Sequence, residues 1–244
     1  MNDKGSFYMK NNVIYSYRLT YFGGTAPCYD NNLLTLAICK RDMRRVIGRE
    51  FRKNRLKKTY WFIGIVGTGL EKSSRSVFEG RAGTVLYIAK LKDVIDFSDY
   101  FSNPIFRKRL DRIYEESDDG DFGTTGNEKR FKHVDCSISN VHCEKELQER
   151  DWDVAHCSKE TFVLVSEEYS FIDPQLSNDL IESLSDGEKL ANGVGHSLFE
   201  AEDDSRIVCL MNSIVNNAGK THSKEKLPQV IRDNCNKGCG KDKA

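Results

Sequence analysis

Between residues 13 and 91 the chain is cut into short runs of β-branched, aromatic and aliphatic residues, separated by glycine, proline and charge rather than by amphipathic helices. Residues 13–21 and 33–39 form two such runs with Gly23-Gly24-Thr25-Ala26-Pro27 between them, which reads as strand, loop, strand. Residues 60–66 end in Gly67-Thr68-Gly69, and residues 84–91 follow Gly80 and Gly83. Connections this poor in helix argue against a Rossmann arrangement, in which crossover helices join parallel strands. They point to an α+β fold built on a curved mixed sheet or a small β-barrel, with short helices at its periphery.

The second half carries clearer helix signals. Asp96 stands as an N-cap, with Asp99 three residues on and Ile95 placed to staple onto Tyr100, so a short helix begins there and stops before Pro104. A second short helix is expected to run to Tyr114. Residues 115–132 are acidic, then glycine-rich, then basic, with only Phe122 and Phe131 to bury, and read as a mobile loop. A buried strand follows at 161–165 and leaves through Phe171-Ile172-Asp173-Pro174. Ile207, Leu210, Met211, Ile214 and Val215 then recur at helical spacing, behind Asp203 and Asp204 and ahead of Gly219. Beyond Gly219 the sequence is polar and lysine-rich. The expected organisation is therefore one α+β domain over residues 1–218 and a flexible tail over 219–244.

Basic and acidic residues balance at 37 each, so the total charge dictates no partner. The balance hides a local excess. Between residues 40 and 58, Lys40, Arg41, Arg44, Arg45, Arg49, Arg52, Lys53, Arg55, Lys57 and Lys58 are opposed only by Asp42 and Glu50. Such a cluster suits a polyanion, most commonly a phosphate backbone, and Arg44 and Arg45 suit bidentate phosphate contacts. The bland alternative is a solvated face balanced by the acidic stretch at 115–121. The first residues lack the apolar run of a signal peptide, and no stretch approaches the roughly 18 apolar residues of a membrane span. A cytoplasmic location without a membrane partner is expected, with the eight cysteines as reduced thiols.

Other candidates for chemistry are scattered. Thr68 sits in a glycine turn whose backbone N–H groups could approach a phosphate or base, although most such turns merely end a strand. His156, just before the 161–165 strand, and His196, after Gly193-Val194-Gly195, are candidate acid–base groups, against the commoner structural role of a single histidine. His133, Cys136, His142 and Cys143 lack the paired spacing of a zinc site, so no metal is assigned. Signatures of serine hydrolases, zincins and zinc deaminases are absent from the sequence.

Taken in order, several segments resemble the second family of nucleotide modification associated domains. They are Tyr15-Ser16-Tyr17-Arg18, Ala26-Pro27, Leu34-Thr35-Leu36-Ala37-Ile38-Cys39-Lys40 with Arg44, Trp61 through Gly69, Gly83 through Ala89, Asp111-Arg112-Ile113-Tyr114, His156 and Gly195-His196. Arg112 replaces the family's usual asparagine, Thr59-Tyr60 its Gly-Asp, and Val194 an arginine. The resemblance implies a phage or bacterial protein that modifies or recognises a base in nucleic acid, with nucleic acid or a nucleotide as partner and no cofactor specified. It implies His156, Asp111 and His196 as catalytic candidates, and Lys40, Arg44, Arg45, Thr68 and Tyr114 as substrate-binding ones. A non-catalytic reader of modified bases, or an interaction protein of a phage or defence system, are the competing implications. At fold level the strand pattern is also similar to small barrels of the pseudouridine-synthase-associated, YTH and EVE type, which hold bases in aromatic pockets.

Overall fold

The computed structural model describes residues 11–20, 22, 26–30, 32–73, 78–109, 111–118, 122–123, 130–133, 161–193 and 195–218. Its spine is a five-stranded sheet in the order β11 (Glu168–Phe171), β5 (Val85–Lys90), β4 (Lys58–Val66), β1 (Asn11–Leu19) and β12 (His196–Ala201). β1 and β4 run parallel through nine paired residues, from Asn11 beside Lys58 to Leu19 beside Val66, and the other neighbours are antiparallel. The sheet is therefore mixed, and the fold is α+β.

A parallel pair in the middle of a sheet has to be covered on both faces, and the sequence of β1 supplies two apolar sets. Val13, Tyr15, Tyr17 and Leu19 enter the core between the two sheets with Tyr60, Phe62, Leu86 and Ala89. Ile14 faces the other way with Trp61, Ile63 and Ile65, against the helices at Pro174–Glu182 and Arg206–Ala218. The second of these buries Ile207, Met211, Ile214 and Val215, the stripe that the sequence spacing predicts. The first starts on Asp173, whose carboxylate accepts the Leu176 N–H at 2.9 Å, with Pro174 in the first turn.

The second sheet is antiparallel, in the order β2 (Cys28–Asp30), β3 (Leu33–Leu36), β10 (Phe162–Ser166) and β6 (Asp93–Asp96). Two chain segments pass from one sheet to the other. β5 continues through Leu91 and Lys92 into β6, and β10 continues through Glu167 into β11. The two remain partners across the corner: Lys92 N–H donates to Val165 O at 2.9 Å, and Lys92 and Glu167 form an ion pair beside it. Among the described residues the sheets wrap the core without closing into a barrel.

α1 (Arg41–Asn54) lies across the open side of this corner and buries Met43, Ile47 and Phe51. It closes on β10 at Gly48, where a Cβ would stand 2.1 Å from the Phe162 ring. Beyond the second sheet, the short helix Phe97–Ser102 stops before Pro104 as expected, but the carboxylate of Asp96 makes no side-chain cap and pairs with Arg52 at 2.7 Å. The helix expected up to Tyr114 does not form. Pro104–Phe106 make one 3-10 turn, and Tyr114 opens a small antiparallel ribbon of β7 (Tyr114–Glu116), β9 (Arg130–His133) and β8 (Phe122–Gly123). Most of the described part of the expected 115–132 loop is thus strand, with Phe131 packed among Phe97, Phe101 and Tyr114. Among the described residues no helix is long and apolar enough to cross a membrane.

Gly48→Ala should lower the unfolding free energy by about 1–3 kcal/mol in urea titration, because a methyl group there meets an aromatic ring wedged between helix and sheet. An unchanged midpoint would show that α1 is not held on β10 as described.

Candidate nucleic-acid interface

The cationic run at 40–58 folds mostly into one helix, and folding sorts its charges. Arg44 is fully buried; its Nε donates to Cys39 O at 2.8 Å and its Nη1 to Phe162 O. Arg44, expected to contact phosphate, is thus placed inside the protein with its donors on backbone carbonyls. Arg49, Arg52 and Lys53 are exposed, and Arg41 and Arg45 are half-exposed. Arg41, Arg45, Arg49 and Lys53 succeed one another at four-residue spacing, so about 6 Å of helix separates each from the next along one ridge. Asp42 pairs with Arg41 at 3.4 Å and with Arg45 at 3.6 Å, both solvated contacts of little net strength. Arg52 is held more firmly, its guanidinium 4.4 Å over the Phe162 ring while it pairs with Asp96. Among the described residues, Asp42 and Asp96 thus pair with arginines of this helix.

At the head of the helix, Cys39 and Lys40 both adopt left-handed backbone, with φ of 63° and 51°. Side chains rarely take this conformation, and two in succession cost on the order of 1–2 kcal/mol each. The turn places the Lys40 ammonium 5.6 Å from the centre of the Tyr17 ring and leaves the Cys39 thiol exposed. Burial pushes the Lys40 amine below the ordinary lysine range. Tyr17 is hydrogen-bonded to Tyr87, and burial raises both hydroxyls well above the usual tyrosine range. His196 lies opposite Tyr17 on the edge strand, exposed, with its ring 6.1 Å from that of Tyr15. Of the candidates, Lys40 thus contacts the Tyr17 ring, and His196 pairs with Tyr17 across the β1–β12 ladder.

A family model described as nucleotide modification associated domain 2 matches residues 11–226, a span that takes in every described residue. The chain belongs to that family. Neither the curated proteins nor the solved structures compared with it match.

Within the family pattern, Asp111 heads the Asp111-Arg112-Ile113-Tyr114 element and is completely buried. Thr35 and Tyr100 donate to its carboxylate at 2.5 and 2.7 Å, and Arg109 lies 3.6 Å away. Arg109 also donates to the carbonyls of Cys28 and Leu33 at 3.1 and 3.2 Å and to Tyr100 at 3.1 Å. Burial raises the Asp111 carboxyl, while Arg109 and the two hydroxyl donors pull it back down. This network ties the β2–β3 hairpin to the turn after the 3-10 segment, which is the work of a structural anchor. Tyr114 is equally buried, its ring 5.3 Å from Phe101, and is not placed to stack on a base. Arg112, which departs from the family's asparagine, donates to Phe101 O through both Nε and Nη2, at 3.1 and 2.6 Å.

Thr68 opens the short helix Thr68–Ser73 and is exposed. Gly67 before it is needed for packing: its N–H donates to Leu19 O, and a Cβ would approach that oxygen to 2.5 Å. His156 lies outside the described residues. Sequence reasoning missed Cys39, Tyr15 and Tyr87 as neighbours of Lys40 and His196. The alternation of Tyr15 and Tyr17 in a strand was the available signal, since it puts both rings on one face.

Asp111→Ala should cost about 3–5 kcal/mol of unfolding free energy, because it leaves the Arg109 guanidinium buried beside an emptied site. Urea unfolding measures this directly, and a loss within 0.5 kcal/mol, the ordinary range for a surface change, would contradict the anchor role.

Proposed function

We propose that the protein holds nucleic acid along the outer ridge of α1 and recognises or acts on a base of that polymer. The observation that carries this reading is the sorting of the cations: one arginine is used inside to fix the helix, and the others are presented together outside. The helix is about 21 Å long, enough to follow a backbone through several phosphates. Exposed ion pairs such as those of Asp42 with Arg41 and Arg45 yield readily to a phosphate competitor. Membership of a nucleotide modification associated family agrees with a nucleotide-bearing partner.

One observation favours the narrower reading of a base reader without turnover. Asp111, a group from which chemistry is expected, sits completely inside the protein. A reader does not require that carboxylate to reach a substrate.

Binding of fluorescent duplex and single-stranded DNA at a series of salt concentrations tests the reading, with mass spectrometry of the recovered DNA to separate reader from enzyme. The wild type should bind with steep salt dependence. The triple variant R45Q/R49Q/K53Q should bind at least tenfold more weakly, with a log K against log salt slope for duplex shallower by about 2–3, from about 0.9 per lost phosphate contact. Equal slopes for wild type and variant, or no binding by the wild type, would refute it.

A further inference from the structure

α1 ends in a tight turn at residues 54–57, closed by Lys57 N–H donating to Asn54 O at 2.8 Å. The Asn54 amide in turn donates to Glu50 at 3.0 Å, so the turn is tied back to the helix. At its tip stands Leu56, 85% exposed, with exposed Arg55 and Lys57 on either side. A single exposed leucine needs no explanation in general. This one is distinguished by its place, at the end of the cationic ridge and on the wall of an open recess of about 370 Å³. Phe51, Tyr60 and Leu91, each largely buried, contribute to its lining, and Arg55, Lys58, Lys90, Lys92 and Asp93 stand around it. The volume falls within the roughly 300–1,000 Å³ typical of small-molecule pockets. Three of these cations hold acidic partners at the surface, Lys58 with Glu200, Lys90 with Glu168 and Lys92 with Glu167. Such solvated pairs contribute little and can exchange for phosphate.

We propose that Leu56 is a wedge for duplex nucleic acid: it enters the base stack while the nucleotide it displaces rests in the adjacent recess. An apolar side chain on a fixed turn, flanked by cations that grip the backbone, is the device by which proteins unstack a base step, at a cost of a few kcal/mol returned by the contacts made. The recess supplies what a displaced nucleotide needs, an apolar surface for the base and cations for its phosphate. This inference rests on the nucleic-acid reading of the ridge and adds where the base goes.

The test uses the full chain and a duplex carrying 2-aminopurine, whose fluorescence rises several-fold on unstacking, at successive positions. Wild-type protein should raise the signal at one position and shield it from acrylamide quenching. Leu56→Ala should bind duplex within threefold of wild type but lose the rise, Leu56→Phe should restore it, and Ile105→Ala, a change at another highly exposed aliphatic residue, should leave it intact. Wild-type binding without a rise, or a rise that persists in Leu56→Ala, would overturn the wedge while leaving the ridge reading standing. A rise that acrylamide quenches freely would overturn the recess. Absence of wild-type binding would overturn both the wedge and the ridge.

Discussion

Arg44 reaches into the core from α1 and donates to the carbonyls of Cys39 and Phe162, one at the helix's own entrance and one on the strand beneath it. Everything on the outer face of α1 depends on that anchorage. With Gly48 allowing the helix to settle on the Phe162 ring, the rotation of α1 about its axis is fixed, and Arg49, Arg52 and Lys53 emerge at the surface. Arg52 then lies over the same ring and pairs with Asp96, which couples the ridge to the second sheet. A flexible basic segment could attract a polyanion; a helix fixed at both ends presents its charges at set spacings, which reduces the ordering cost of binding.

The platform beneath is held by a similar use of buried polar groups. Asn12, almost fully buried in β1, accepts from the Trp61 indole at 2.9 Å and donates to Asp203 at 2.7 Å. Ser16 bonds to Ser197 at 2.6 Å and accepts the Ala191 N–H at 2.8 Å. These contacts span the two neighbours of β1 and the approach to the last helix, so they set the register of a strand whose two apolar faces would otherwise tolerate a slip poorly distinguished by hydrophobicity alone. On the far side, Asp111 and Arg109 do the same for the β2–β3 hairpin. Polar groups placed inside in this way favour one arrangement over its competitors when every partner is satisfied.

Much of this was legible in the residues. The stripe from Ile207 to Val215, the stop before Pro104 and the apolar runs of β1, β4 and β5 follow from periodicity and punctuation, and the structure has them within a residue or two. α1 was not read as a helix, because its ten-cation neighbourhood hides the spacing of Met43, Ile47 and Phe51, which bury one face. The passage of two strands from sheet to sheet at Leu91–Lys92 and Glu167 leaves no mark in sequence, since a corner is set by pairing across the chain rather than by any local preference. The site was read least well for a physical reason. Arginine, aspartate and tyrosine mark binding and catalysis when exposed, and anchors when buried, and composition cannot tell Arg44 from Arg45 or Asp111 from a surface acid. His196 comes to lie beside Tyr17 only through the β1–β12 register, and Lys40 reaches the Tyr17 ring only through the turn before α1.

The central claim is that the outer face of α1, with the turn that follows it, receives the polymer. Photocrosslinking with 4-thiothymidine-substituted DNA, followed by mass-spectrometric mapping of the attached peptides, measures this most directly. Crosslinks concentrated in residues 41–58, and lost in high salt, are the predicted result. Crosslinks concentrated instead on the helices Pro174–Glu182 and Arg206–Ala218, on the opposite side of the main sheet, would contradict the account.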